Sequence, residues 1–227
     1  MALPSISIVI PAVDEEGELP ATISIAREAG EAEIIVVDGG SRDATFMLAR
    51  RLADLALEAP RGRAAQMNAG AALAHGEVLL FLHADTHVPP GFAAAIAAAI
   101  AHGALWGRFD VDLRGAHPFL PVVAWLISHR SRWSGIATGD QGLFVRRDVF
   151  ARLGGFPALP LMEDVALSKR LNRLARGAAL RARVSTSARR WERRGLLRTI
   201  FLMWALRFAF AIGVSPTRLA RTYADAR

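Results

Sequence analysis

The 227-residue chain carries a formal net charge of +7, with 52% hydrophobic and 22% charged residues, a balance that suits a globular domain with a proper core and excludes a disordered chain. It has no cysteine, which excludes disulfides, thiolate catalysis and cysteine-ligated zinc and fits a reducing compartment. The charge is uneven: residues 181–227 hold eleven arginines against Glu192 and Asp225, or +9, and the preceding residues sum to −2, so a basic tail suited to an anionic partner follows a slightly acidic body.

In chain order, Ser5-Ile-Ser-Ile-Val-Ile-Pro11 is a β-branched run stopped by a proline, which predicts a first strand. No basic or long apolar leader precedes it, so no signal peptide is expected. An acidic loop at 12–17 contains Asp14 and Glu15, and Leu19–Ala29 is predicted helical. Glu33–Asp38 reads as a second strand ending in a carboxylate before Gly39-Gly40-Ser41, where glycines permit a tight turn and Ser41 or Asp43 can cap a helix over 44–53. Residues 55–59 form a weak strand, 64–74 an alanine-rich helix, and 78–82 five apolar residues in a row, as in a strand buried on both faces. The chain then turns polar at His83 and Asp85. Strands alternating with short helices predict an α/β fold with a mostly parallel central sheet, in which ligands bind beyond the carboxyl ends of the strands.

A further helix follows Pro89-Pro90-Gly91 and extends to Ala101. Over 105–113, Phe109, Val111 and Leu113 alternate with Arg108, Asp110 and Asp112, which predicts a half-exposed strand. Residues 118–128 are apolar and read as a buried or groove-lining helix, 139–145 as a strand entered through glycine, 148–153 as a short helix, 163–176 as a clear helix and 179–184 as a last strand.

Residues 196–214 are nearly all apolar but are interrupted by Arg198 and Arg207. The uninterrupted pieces are far shorter than the roughly 20 residues that span a bilayer, so no transmembrane helix is expected. Nine residues at about 100° each put the two arginines on opposite faces. The segment is expected to be buried by a second subunit, as in a homodimer, or by the interfacial layer of a membrane, with the arginine heads turned outward.

Carboxylates thus recur after strand ends, at Asp14 and Glu15, Asp38 and Asp85, and the pair Glu163-Asp164 opens a helix whose dipole favours negative charge. Alone, each is as well explained by a turn or a cap. In combination, the chain resembles the inverting family 2 glycosyltransferases of GT-A fold. The matching pieces are Ile8-Val-Ile-Pro-Ala-Val-Asp-Glu-Glu16, Ile34-Ile-Val-Val-Asp-Gly-Gly-Ser-Arg-Asp-Ala-Thr45, Gly62-Arg-Ala-Ala-Gln-Met-Asn-Ala-Gly70, Phe81-Leu-His-Ala-Asp-Thr86, Phe144-Val-Arg-Arg-Asp-Val-Phe-Ala-Arg-Leu-Gly-Gly-Phe156 and Met162-Glu-Asp-Val165, in the family's order. The chain is most similar to a small bacterial subgroup described as radical-SAM/selenodomain-associated transferase 2, a label that records association and not substrate.

The resemblance implies a GT-A domain over 1–185, with a nucleotide-binding half to about 103 and an acceptor half to 185, followed by a helical extension over 186–227. It implies a nucleotide diphosphate sugar as donor, bound by Pro11, Asp14, Glu15, Asp38, Gly39, Arg63, Asn68 and Asp85, and a divalent cation, Mg²⁺ or Mn²⁺, held by Asp85. Asp164 is implied as the base that deprotonates an acceptor hydroxyl, with Glu163, Gly139, Asp140, Gln141, Arg190 and Trp191 on the acceptor side.

Two departures stand out. The fold's Asp-x-Asp appears as His83-Ala84-Asp85, which makes His83 a second candidate metal ligand and Mn²⁺ more acceptable. The Gln-x-x-Arg-Trp element of processive members appears as Ser187-Ala-Arg-Arg-Trp191, so processive polymerisation is not expected. The expected place is the cytoplasm, peripheral at the inner face of the cytoplasmic membrane if a lipid-linked acceptor is used. Two other readings compete. A sugar nucleotidyltransferase wants a glycine-rich basic loop where 12–17 is acidic, and a non-catalytic protein would bind membrane or nucleic acid through the tail, whose few aromatics make a poor stacking platform for nucleic acid.

Overall fold

The structure, a computed structural model, describes residues 3–225, excepting the side chains of Arg190, Arg193, Arg194, Leu197, Ala224 and Asp225. Eight strands form one sheet: β1 (Ile6–Ala12), β2 (Glu33–Asp38), β3 (Leu55–Glu58), β4 (Val78–Phe81), β5 (Thr86–His87), β6 (Trp106–Arg114), β7 (Leu143–Arg146) and β8 (Ala178–Ser187). Their order is β3-β2-β1-β4-β7-β6-β8-β5. The first half is parallel, and β7 then runs antiparallel to both β4 and β6.

Alternation along the strands explains the continuous apolar runs. Ile8, Ile10, Ile34 and Leu80 enter a core on one face, while Val9, Ile35, Val37 and Leu79 enter a core on the other. Both faces are covered by helices, so neither set of side chains meets water. The helices α1 (Leu19–Ala29), α2 (Thr45–Leu52), α3 (Arg63–Leu73) and α4 (Phe92–Ala101) connect the parallel half. Gly70 of α3 lies against the sheet so closely that a Cβ there would sit 2.5 Å from Val9 Cγ1 and 2.9 Å from Val37 Cγ2.

The second half contains α5 (Leu120–Ser134), α6 (Arg147–Arg152) and α7 (Glu163–Asn172), and the tail forms α8 (Arg189–Arg194), α9 (Leu196–Ala211) and α10 (Pro216–Asp225). Several expectations need correcting here. Residues 139–141 form a short 3-10 turn instead of strand, because Thr138 and Gln141 exchange side-chain and backbone hydrogen bonds across it and Gly142 adopts φ 58°. Helix α7 ends at Asn172 and not at 176. Arg108, expected on an exposed face of β6, is 2% exposed, since α5 covers that face and Ser131 Oγ accepts from Arg108 Nε. Strand β5 is too short for a sequence pattern and exists through its pairing with β8.

The tail is folded onto the domain. Leu206 of α9 and Leu219 of α10 pack with Leu161, Met162 and Val165 at the start of α7. Arg207 is not turned outward as expected; its Nε is buried. Phe201, Trp204, Phe208 and Ile212 of α9 remain exposed, and no helix of the described residues is long and apolar enough to cross a membrane.

Candidate active site

The loops after β1, β2 and β4 lie at one edge of the sheet, and β7 starts beside the end of β4, with Phe81 opposite Leu143. A cavity of about 1210 Å³ opens there, lined from the sheet by Pro11, Asp14, Glu15, His83 and Asp85, from the second half of the domain by Gly139, Asp140 and Asp164, and from the tail by Arg189 and Trp191. This is the site that sheet topology favours, outside the carboxyl ends of the strands.

At the sheet edge, one guanidinium joins two carboxylates. Arg189 Nη2 lies 2.5 and 2.6 Å from the oxygens of Glu15 and 3.3 Å from Asp85 Oδ2. Burial raises the Glu15 pKa, Arg189 opposes the rise, and the nearby Asp85 charge adds to it. The backbone of Asp85 is fixed by Arg114, whose Nη2 donates to the Asp85 carbonyl at 3.0 Å and lies 3.3 Å from Glu18 Oε2. A single guanidinium thus serves both Glu15 and Asp85 and leaves one formal negative charge among the three groups, so this edge is electrostatically suited to a further positive charge. Mg²⁺ and Mn²⁺ commonly take one or two carboxylates and complete their shells with substrate phosphates. The pair fits that requirement, although no cluster of three metal-capable side chains occurs among the described residues.

His83 lines the same cavity. Its ring packs on Gly139, where a Cβ would sit 2.5 Å from His83 Nε2. Gly139 N donates to Asp164 Oδ2 at 2.8 Å, and Val165 N donates to Asp164 Oδ1 at 2.7 Å. Imidazole, glycine and carboxylate therefore form one contiguous wall of the cavity.

The preceding residue, Glu163, turns away from the cavity. It is 2% exposed, Arg63 Nε lies 2.8 Å from its Oε1, and its Oε2 is buried without a partner. Burial raises its pKa, against the attraction of Arg63. Arg63 lines the cavity but spends its Nε on Glu163, which ties α3 to α7.

Asp38, Gly39, Asn68 and Gln141 are not brought to the cavity wall. Asp38 is 1% exposed and accepts from Gly40 N and Ser41 N, each at 2.9 Å, and from the Ser41 hydroxyl. It shapes the turn that supports Asp14, whose carboxylate accepts from Arg42 N at 2.8 Å. A Cβ at Gly39 would meet Val13 and Gln66 below 3.0 Å. Asn68 exchanges two hydrogen bonds with the Phe156 backbone, both at 2.9 Å, and Gln141 is buried in the 3-10 turn. The Arg190 side chain lies outside the described residues.

Asp14 (φ 54°) and Met162 (φ 68°) are the non-glycine residues at positive φ among the described residues, and both line the cavity. Such backbone costs of order 1–3 kcal/mol and persists where surroundings enforce it, commonly at functional sites.

The model of the family described as "Glycosyl transferase family 2" matches residues 7–141. The chain belongs to glycosyl transferase family 2. A "PGL/p-HBAD biosynthesis glycosyltransferase" of Mycobacterium bovis is 32% identical over 178 residues, covering 69% of this chain and 64% of the relative, and a protein of the same description from Mycobacterium tuberculosis matches equally. The chain thus spans less than two thirds of the length of these relatives. Among solved structures, the mannosyltransferase PcManGT from Pyrobaculum calidifontis, in complex with GDP-Man and Mn²⁺, is 21% identical at a TM-score of 0.68, over 99% of this chain and 70% of that one. S. aureus TarS in complex with UDP-GlcNAc is 18% identical at a TM-score of 0.65, over 81% and 58%. These likenesses establish the GT-A fold for this family member.

Sequence reasoning missed Arg189, Arg114, Arg130 and Arg207. The run Arg189-Arg190-Trp191 drew attention to its last two residues, and nothing in the pattern distinguishes which arginine faces Asp85. An arginine interrupting an apolar helix, as Arg207 does, was the one available signal.

Proposed function

We propose that the protein transfers a glycosyl group, with inversion and without processive polymerisation, from a nucleotide diphosphate sugar to an acceptor hydroxyl. The single observation that carries this reading is the convergence, on one cavity, of the carboxylate pair Glu15 and Asp85 at the sheet edge and Asp164 on the opposite wall. The nucleotide sugars bound by TarS and PcManGT support a donor of the same class.

In this reading Pro11 and Asp14 border the nucleoside, with Asp38 and Gly39 holding their loops in shape and Gln66 bridging the ends of β1 and β2 through the Ala12 and Val37 carbonyls. Asp85, with Glu15 beside it, would hold a divalent cation, which when bound neutralises charge developing on the diphosphate. Asp164 is the base. The acceptor oxygen forms a bond to the anomeric carbon while the bond from that carbon to the diphosphate oxygen breaks. The acceptor proton passes to Asp164 Oδ, and the nucleoside diphosphate leaves with the electron pair. His83 packs against Gly139, whose backbone N–H donates to Asp164 Oδ2. Asn68 and the Arg63–Glu163 pair hold α3 against the 156 loop and α7, which keeps Asp164 at a fixed distance from the sheet edge.

The test is release of nucleoside diphosphate from a panel of nucleotide sugars with Mg²⁺ or Mn²⁺, by the wild type and by Asp164→Asn. Acceptor-dependent release by the wild type and its loss in the variant are expected; equal release by both would remove Asp164 from the reaction.

A further inference from the structure

We propose that Arg130 of α5 and Arg207 of α9 form an anion-binding subsite at the acceptor end of the cavity, and that the acceptor carries a phosphoryl group besides the hydroxyl that receives the sugar. This rests on the reading of the cavity as a glycosyl-transfer site, and it names the acceptor class for that site.

Both arginines line the cavity. The Nε of each is buried, and neither Nε has a hydrogen-bond partner. Apart from Arg130 Nη2, which donates to Thr138 Oγ1 at 3.3 Å, no described hydrogen bond occupies these half-buried guanidiniums, and their buried Nε atoms lack the acceptor that a buried donor normally has. The two charges also oppose each other. Burial first, then the charge of Arg207, pushes Arg130 down to about 10, while the carboxylates of Asp140 and Asp164 pull the other way. Those carboxylates do not resolve the deficit by direct pairing: Asp164 accepts from Gly139 and Val165, and Asp140 Oδ1 is itself buried without a partner.

Two guanidiniums near enough to repel each other, lining one cavity with unused N–H groups, suit a phosphoryl group, whose oxygens accept in the planar fork geometry that arginine presents. Structural arginines in the same domain look different. Arg132 makes a two-point contact with Asp110 at 3.1 and 2.8 Å, and Arg108 donates to Ser131 and to the Ala178 carbonyl. Arg130 and Arg207 are the cavity-lining arginines whose Nε is buried without a partner among the described residues. Around them the wall is apolar, with Leu126 and Ile127 from α5 and Met203 from α9. Trp133 and Trp204, 87% and 62% exposed, stand at the rim. A phosphoryl group at the arginines and an apolar remainder leaving between α5 and α9 would fit this division.

The phosphoryl group has two sources, a lipid phosphate that also bears a hydroxyl, for whose phosphoryl and apolar parts farnesyl phosphate is a binding probe, and a water-soluble phosphorylated sugar. Titration of the full chain with farnesyl phosphate, farnesol and inorganic phosphate, followed by tryptophan fluorescence, separates them. We expect farnesyl phosphate to bind at least tenfold more tightly than farnesol, and Arg207→Gln and Arg130→Gln each to lose tenfold or more of that affinity while their affinity for nucleoside diphosphate with Mn²⁺ stays within twofold of wild type. Farnesyl phosphate far tighter than inorganic phosphate points to the lipid source; equal affinities point to the soluble one. Should Arg130→Gln fail to fold for want of its Thr138 contact, Arg207→Gln carries the test. Farnesol binding as well as farnesyl phosphate, or variants that retain wild-type affinity for it, would overturn the subsite. If farnesyl phosphate binds through the arginines and no nucleotide sugar binds, the subsite stands and the donor reading fails.

Discussion

Arg189 and Glu15 are 174 positions apart, and Arg189 Nη2 lies 2.5 and 2.6 Å from the two Glu15 carboxylate oxygens. The contact closes the start of the tail over the first β-strand loop and places a positive charge beside Asp85. It raises the Arg189 pKa, chiefly through the hydrogen bond to Glu15.

If Arg189 and a divalent cation share the same two carboxylates, they compete. Arg189→Gln should therefore tighten Mn²⁺ binding in the absence of nucleotide. Arg189 is 39% exposed, which limits what the pair is worth. A gain of about fivefold, equivalent to roughly 1 kcal/mol for a partly exposed ion pair, is expected. Calorimetric titration with Mn²⁺ reads it directly, and unchanged affinity would separate Arg189 from the metal site.

Asp164→Asn should lower kcat by about 10² to 10⁴-fold, the usual worth of general-base help, with donor affinity unchanged. A rise in donor Kd with kcat preserved would instead assign Asp164 to binding.

Gly139→Ala tests the wall behind Asp164. Its Cβ would meet His83 Nε2 at 2.5 Å, so the imidazole or the 3-10 turn must shift, and with it the N–H that reaches Asp164. Displacements of about 1 Å are enough to cost on the order of 10²-fold in rate. We expect kcat to fall while the urea midpoint changes little. Gly70→Ala is the converse control, away from the cavity: overpacking against Val9 and Val37 should cost about 1–3 kcal/mol of stability.

Much of this architecture is written in local patterns, and the exceptions have physical causes. The bounds Leu19–Ala29 and Glu33–Asp38 follow from apolar spacing and match the structure residue for residue, because those elements are short, regular and buried on predictable faces. Residues 139–141 read as strand since Leu143, Phe144 and Val145 follow, but the Thr138–Gln141 exchange bends the backbone first. The carboxylates along the sheet edge were legible because βα loops follow each strand. Their division of labour was not. Whether Asp38 faces a ligand or its own turn depends on backbone N–H groups two and three residues on, and the side chains that complete the cavity, Arg130, Arg189 and Arg207, arrive from helices distant in sequence.

Glu163 gives the stability a pH dependence of known sign. Its pKa is raised in the folded state from 4.5, first by burial. The folded state then binds more protons than the unfolded state as pH climbs from 4.5 through the raised value, so stability from this group is present at low pH and lost on rising through that window. Glu163→Gln, which keeps an oxygen for Arg63, should remove the dependence. Urea midpoints at pH 5 and pH 8 should fall less between the two for the variant than for the wild type; parallel changes would assign the dependence to other groups.

The most direct test of donor use is thermal unfolding in the presence of UDP- and GDP-sugars with Mn²⁺. A ligand at 100 times its Kd stabilises the fold by about 2.7 kcal/mol, worth on the order of 5–10 °C for a domain of this size. We expect one nucleotide sugar to raise Tm by that amount with Mn²⁺, and Asp85→Ala to abolish the metal-dependent part. No shift with any nucleotide sugar, or an undiminished shift in Asp85→Ala, would contradict the account.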